Sequence, residues 1–227
     1  MPAAFAQRLA KLKDDLIAQG NRVVDLMLRA VDSYFERDQA KAATVVNSDR
    51  LVDKVDVEIE RASIGLLAMG ETDEHAIRSV LTIVKVNNEM ERIADLAVNI
   101  AEVAQDSGQT NEAVPNTFRV MANSVIGMLR DANQSLARVD TRLAERVLAF
   151  DDTVDRFRTE ISLDAQKKVA SGEFGVKFAF RLMSVVRSLE RIADHSTNIC
   201  EQLIYLETGQ IVRHLPQGWS KPALPEV

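Results

Sequence analysis

The sequence predicts an all-α protein, built as two tandem, pseudo-repeated three-helix bundles with six long antiparallel helices. Three observations carry that prediction. The five prolines are Pro2, Pro115, Pro216, Pro222 and Pro225, so two stretches of about a hundred residues lack the strongest helix breaker. Apolar residues recur at helical spacing, as in Val23, Met27, Ala30, Val31 and Phe35, and no alternating pattern bounded by turn dipeptides suggests a strand. Two motifs from the first half return in the second in the same order, which marks a duplicated unit.

The elements follow from local signals. The first helix, about 3–36, stops at Arg37-Asp38, where Asp38 can cap the second, about 38–69. Gly70-Glu71-Thr72-Asp73 pairs a C-terminal glycine with capping groups, so a third helix is expected at about 72–106. The segment 107–115, SGQTNEAVP, is polar, carries Gly and Pro, and reads as the linker between halves 1–106 and 116–207. Asp140 is a plausible N-cap and Ser171-Gly172 a plausible stop, giving helices at about 116–138, 140–170 and 173–207. Residues 208–227, with three of the prolines and Trp219, read as a non-helical tail. Helices of about 30 residues run roughly 45 Å, so the bundles are elongated.

Composition narrows the function classes. The formal net charge is −6 and no Lys/Arg run is present, which argues against nucleic acid as a partner. The lone cysteine, Cys200, permits neither an internal disulfide nor a cysteine-based zinc site. No uncharged stretch approaches the roughly 18 apolar residues of a membrane span, and the first residues carry charges where a signal peptide would be apolar. The expectation is a cytoplasmic protein with no direct membrane insertion. No nucleophilic triad, Gly-rich phosphate loop or zinc signature is present, and the expectation is that it is not an enzyme.

The repeat concentrates the chemistry. Glu91-Arg92-Ile93-Ala94-Asp95 with Asn99-Ile100 returns as Glu190-Arg191-Ile192-Ala193-Asp194 with Asn198-Ile199, at an offset of 99. One helix upstream, Asp49, Val52, Asp53, Glu58 and Ile59 return as Asp151, Val154, Asp155, Glu160 and Ile161, at an offset of 102. At 100° per residue, Glu91, Asp95, Asn99 and Glu102 fall within about 80°, and Asp49, Asp53, Asp56 and Glu60 within about 60°. Carboxylates four apart repel by roughly 0.2–0.5 kcal/mol, so a compensating cation with oxygen ligands is one reading of such stripes. The other is a solvated face, with Arg92 and Arg191 set three residues before Asp95 and Asp194 as ordinary surface ion pairs.

These residues resemble the PhoU family of phosphate-transport regulatory proteins: paired E-R-I-A-D motifs, each preceded one helix earlier by D-x-x-V-D, in two tandem halves, over about residues 5–207. The resemblance implies a negative regulator of the phosphate-starvation response, a homodimer that links the ATPase subunit of a phosphate ABC transporter to a sensor histidine kinase. It implies metal ions on the acidic faces (iron, zinc, manganese or magnesium) held by Asp49, Asp53, Glu91 and Asp95 in the first half and Asp151, Asp155, Glu190 and Asp194 in the second. Two departures stand out. Ala94 and Ala193 replace glycines common in the family, a favourable change within a helix. Asp56 and Glu60 correspond to Arg158 and Ser162, so the second site is expected to hold fewer metals or bind them more weakly.

A ferritin-like dimetal protein is the alternative that also places acids on helices, but it needs Glu-x-x-His, and here Ala94 and Ala193 stand at the histidine positions. A metal-free helical scaffold is the other alternative. His195 follows Asp194 but pairs with Leu96 in the repeat and is expected to be a half-buried polar residue rather than a ligand. Cys200 lies off the acid stripe and is expected in the core, as are the methionines; His75 and His214 are expected in solvent.

Overall fold

The structure, a computed structural model, describes residues 2–106 and 112–212. It contains α1 Ala3–Glu36, α2 Gln39–Leu67, α3 Glu74–Asp106, α4 Asn116–Arg138, α5 Thr141–Ala170 and α6 Val176–Thr208, and no strand among the described residues. The all-α fold is as the sequence predicts. Residues 112–115 and 209–212 are non-helical; the rest of the expected linker and tail, with His214, lies outside the described residues.

The two tightest turns show why the chain reverses where it does. Arg37 and Val139 adopt left-handed φ of 55° and 53°, and the next residue donates its N–H back across the turn: Asp38 to the Ser33 carbonyl at 3.0 Å, Asp140 to the Ser135 carbonyl at 2.9 Å. The same two aspartates then cap the following helix. Asp38 accepts from the N–H groups of Ala40 and Lys41, and Asp140 from that of Leu143. Gly70, Gly172 and Gly209 supply further left-handed positions, φ 74°, 78° and 72°, which a side chain would strain.

Boundaries move where a side chain or turn competes with the helix. Asp73 Oδ1 accepts from the Ala76 N–H at 2.8 Å, so α3 begins at Glu74 rather than 72. Phe174 turns inward, its N–H bonded to the Lys168 carbonyl and its ring 4.8 Å from that of Phe178, which delays α6 from 173 to Val176. The second helix ends at Leu67, two residues early, as the chain tightens toward Gly70.

In the first half α1, α2 and α3 pack mutually, and in the second α4, α5 and α6 do the same. The halves meet along α3 against α6, a seam as extensive as those inside each bundle, with a smaller contact of α1 on α4. Alanines line this seam and the bundle cores: Ala94, Ala97, Ala101 and Ala193 are at most 1% exposed, which lets the helices approach closely. Around them Val23, Met27, Ile93, Ile100, Met121, Leu182, Leu189 and Ile192 are buried as the helical period requires, each contributing about 1.5–3 kcal/mol by leaving water. Cys200 is buried as expected, and burial pushes its thiol up to about 12. Met27, Met90, Met121 and Met128 are core residues, whereas Met69, at the end of the second helix, is exposed.

Gly20, in the interior of α1, sits where α1 is crossed by other helices: a Cβ there would meet Asn133 Oδ1 at 2.0 Å and Met90 Cε at 2.8 Å. Asn133 is itself buried and held by Asn21 at 2.8 Å, so it has little room to yield. Helix propensity favours alanine over glycine by about 1 kcal/mol, but overpacking costs about 1–3 kcal/mol. Gly20→Ala is therefore expected to lower stability, read as a reduced urea midpoint without a change in slope, rather than raise it.

Candidate metal centres

Each acidic face is made by two neighbouring helices. The second helix brings Asp49, Asp53 and Asp56, and the third brings Glu91 and Asp95, on surfaces that pack against one another. The equivalent pair, the fifth and sixth helices, brings Asp151 and Asp155 to Glu190 and Asp194. Every one of the eight acids named from the repeat lies on the face where its motif partner does.

Their mutual influence is electrostatic and follows from partial burial. Burial, and then the charges of Asp53 and Asp95, push the Asp49 carboxyl up to about 6. Asp151 is likewise pushed up to about 6, by burial first and then by Asp194, Asp155, Asp152 and Glu190. Glu91 is raised by burial and Asp95, against a counteracting Arg92, and Asp194 by burial, Glu190 and Asp155. Much of the Asp194 surface remains open to water, so for this residue the repulsion from its neighbours is the firmer cause.

Asp49 Oδ1 is buried and accepts no hydrogen bond. A carboxylate oxygen left so, beside further carboxylates, is a donor set suited to a hard or borderline cation. Among the described residues no three or more His, Cys, Asp or Glu side chains are closed around one point as a finished ligand cage. The residues fit a cation in kind but are not drawn together around one point; in the first half those that would hold it are Asp49, Asp53, Glu91 and Asp95.

The faces differ in a way that decides their charge. On the first, Asp56 Oδ1 accepts from Asn87 Nδ2 at 2.6 Å, and the same amide donates to the Asp56 carbonyl at 3.1 Å. On the second, the Arg158 guanidinium donates to Glu190 Oε1, so this face already contains a cation. Val186 replaces Asn87 there. Asn87 lies one turn before Glu91, and its place on the same helical stripe was the available signal for its role.

The surface ion-pair reading is realised only in part. Arg92 approaches Glu91 at 3.4 Å and Asp95 at 3.7 Å, long and half-exposed contacts worth little. His195 is half-buried with Nδ1 2.6 Å from Glu89 Oε2, a carboxylate outside the candidate ligand set, and His75 is exposed. No helix among the described residues is long and apolar enough to cross a membrane.

The PhoU domain family matches residues 16–104 and 118–203. The chain is 28% identical over 216 residues to the phosphate-specific transport system accessory protein PhoU homolog 1 of Thermotoga maritima, covering 94% of this chain and 93% of the relative. It is 31% identical to the PhoU homolog of Pseudomonas putida, over 93% and 83% of the two chains. The crystal structure of PhoU from Pseudomonas aeruginosa aligns with a TM-score of 0.87 at 27% identity, over 91% of this chain and all of that one.

The raised carboxyls set a pH dependence in protein stripped of metal with EDTA. Between about pH 4 and 6 the folded chain keeps protons on Asp49 and Asp151 that an unfolded chain has lost, so their contribution to stability falls as pH rises through that window and is level above it. Asp49→Asn is expected to stabilise the metal-free protein by about 1 kcal/mol at pH 7, after discounting for solvent screening, and by almost nothing at pH 4. Denaturant titrations at both pH values check this; an equal effect at both would be contrary to it.

Proposed function

Because the chain belongs to the PhoU family, we propose that it is a cytoplasmic accessory protein of phosphate transport that restrains the phosphate-starvation response. The observation that carries this reading is the match of the family over both halves, together with relatives named as phosphate-specific transport system accessory proteins. It acts by contact, as a homodimer that couples the ATPase subunit of a phosphate ABC transporter to a sensor histidine kinase. The acidic faces support such a role. Long helical surfaces with paired carboxylates repel an acidic partner when bare and accept one when neutralised.

Cations of iron, zinc, manganese or magnesium would supply that positive charge. Asp49, Asp53, Glu91 and Asp95 hold them on the first face, with Asn87 orienting Asp56 at its margin. Asp151, Asp155, Glu190 and Asp194 form the weaker face, because Arg158 already neutralises Glu190. The ferritin-like alternative lacks the histidines it needs, since Ala94 and Ala193 occupy those positions and are buried.

Elemental analysis of protein purified without chelator tests the ligands. Asp95→Ala is expected to remove the metal of the first face, and Arg158→Gln to raise the metal bound per chain by freeing Glu190. Retention of full metal by Asp95→Ala would sink the ligand set. For the regulatory role, deletion of the gene is expected to switch on phosphate-starvation genes in phosphate-rich medium; a deletion strain with normal repression and normal phosphate uptake would refute it.

A further inference from the structure

Along the seam between the third and sixth helices a cleft of about 410 Å³ opens between Asn99 and Asp106 on one wall and Arg181 and Arg191 on the other. Three arginines line the sixth-helix wall, Arg181, Arg187 and Arg191, with the hydroxyls of Ser184 and Ser188 between them. Arg181 is committed: its guanidinium donates to both the carboxylate and the carbonyl of Asp106. Arg187 and Arg191 are in no ion pair among the described residues, although the charge of Arg191 is felt at Asp194. Two like charges four residues apart on a helix repel by roughly 0.2–0.5 kcal/mol.

The cleft is not a by-product of the repeat. At the offset of 99, Ser188 corresponds to Glu89, Leu96 to His195 and Asn99 to Asn198. There Glu89 fills the seam, its Oε2 2.6 Å from His195 Nδ1 and accepting from the Asn198 amide at 3.1 Å. Further along that side a smaller cavity of about 220 Å³ is lined by Lys85, Gln202, Tyr205, Ile211 and Val212, and Tyr205 stands there where the cleft has Asp106, its ring beneath Arg78 and Lys85. Serine in place of glutamate thus removes both the bulk and the negative charge that close the other side. Arg187, whose counterpart is Asn88, adds positive charge in the same half.

We infer that this cleft binds a phosphoryl-type oxyanion, held by the guanidiniums of Arg187 and Arg191 with Ser184, Ser188 and Asn99 as neutral hydrogen-bonding groups. Guanidinium forks match the oxygen pairs of phosphate, and the hydroxyls and amide satisfy remaining oxygens without adding charge. Glu102, on the wall of the third helix, weakens the site by facing the same space. The volume exceeds that of a single phosphate, so the occupant is free phosphate or the phosphate of a larger small molecule, and the probes below separate the two. Neither the acidic faces nor the regulatory role enters this assignment.

The test is calorimetric titration of EDTA-treated full-length protein with inorganic phosphate and with pyrophosphate, at constant ionic strength against chloride. At least one anion is expected to bind, with Arg187→Gln and Arg191→Gln each weakening it about tenfold and the double variant abolishing it. Glu102→Gln is expected to tighten binding severalfold, a gain that misfolding cannot imitate. Tighter binding of phosphate identifies the free ion as the occupant, and tighter binding of pyrophosphate a larger phosphorylated molecule. Absence of binding by both anions, or equal binding by the double variant, overturns the assignment. Binding that needs added metal and survives the double variant belongs to the acidic faces; it overturns the cleft while leaving the phosphate-regulator reading intact.

Discussion

The rest of the structure depends on the third and sixth helices burying their apolar stripes on three sides at once. Each packs against both partners of its own bundle and against the other. Ile93, Ala94, Ala97 and Ile100 on one, and Leu189, Ile192, Ala193 and Ile199 on the other, are at most 1% exposed. What remains to water is a narrow strip, and Glu91, Asp95, Glu190 and Asp194 stand at its margin. The raised pKa values of Glu91 and Asp194 follow from that place: an acid fixed beside a well-packed seam is partly dehydrated and cannot turn away from its neighbours. The small alanines contribute to the same end by drawing the helices, and so the acids of adjacent helices, close together.

Much of this was legible in the sequence because helices report themselves locally. Proline placement, the apolar period and two aspartate caps gave six helices with boundaries displaced by only a few residues, and the displacements came from caps and turns at Asp73, Gly70 and Phe174 that compete with the helix ends. Nothing local to Glu173-Phe174 says that the ring will fold inward and hold the start of α6 back to Val176. The acid stripes were legible for the same reason, since residues three and four apart must share a face. Contacts between helices were not. That Arg158 reaches Glu190, 32 positions away, depends on the relative rotation of two helices, and no spacing rule within either one contains it.

The two halves share a plan and differ in chemistry at a handful of places. Asp56 and Asn87 on one side become Arg158 and Val186 on the other, which exchanges an acid bonded to an amide for a charge that neutralises its neighbour. Glu89 becomes Ser188, which exchanges a filled seam for an open one. The change from Asp56 to Arg158 lies at the rim of a helix contact, where a change of charge is tolerated, whereas Asn87 and Val186 are both buried and exchange a bonded amide for an apolar side chain within the packed interior.

The pairing of Glu89 with His195 on one side and the gap beside Ser188 on the other give the molecule a direction. Two identical subunits about a twofold axis would be obliged to carry the same residue at both places and would look alike from either end. A single chain that contains both units is free of that obligation. A partner lying along the seam therefore meets a plugged end and an open end, and can be seated in only one of two otherwise equivalent orientations.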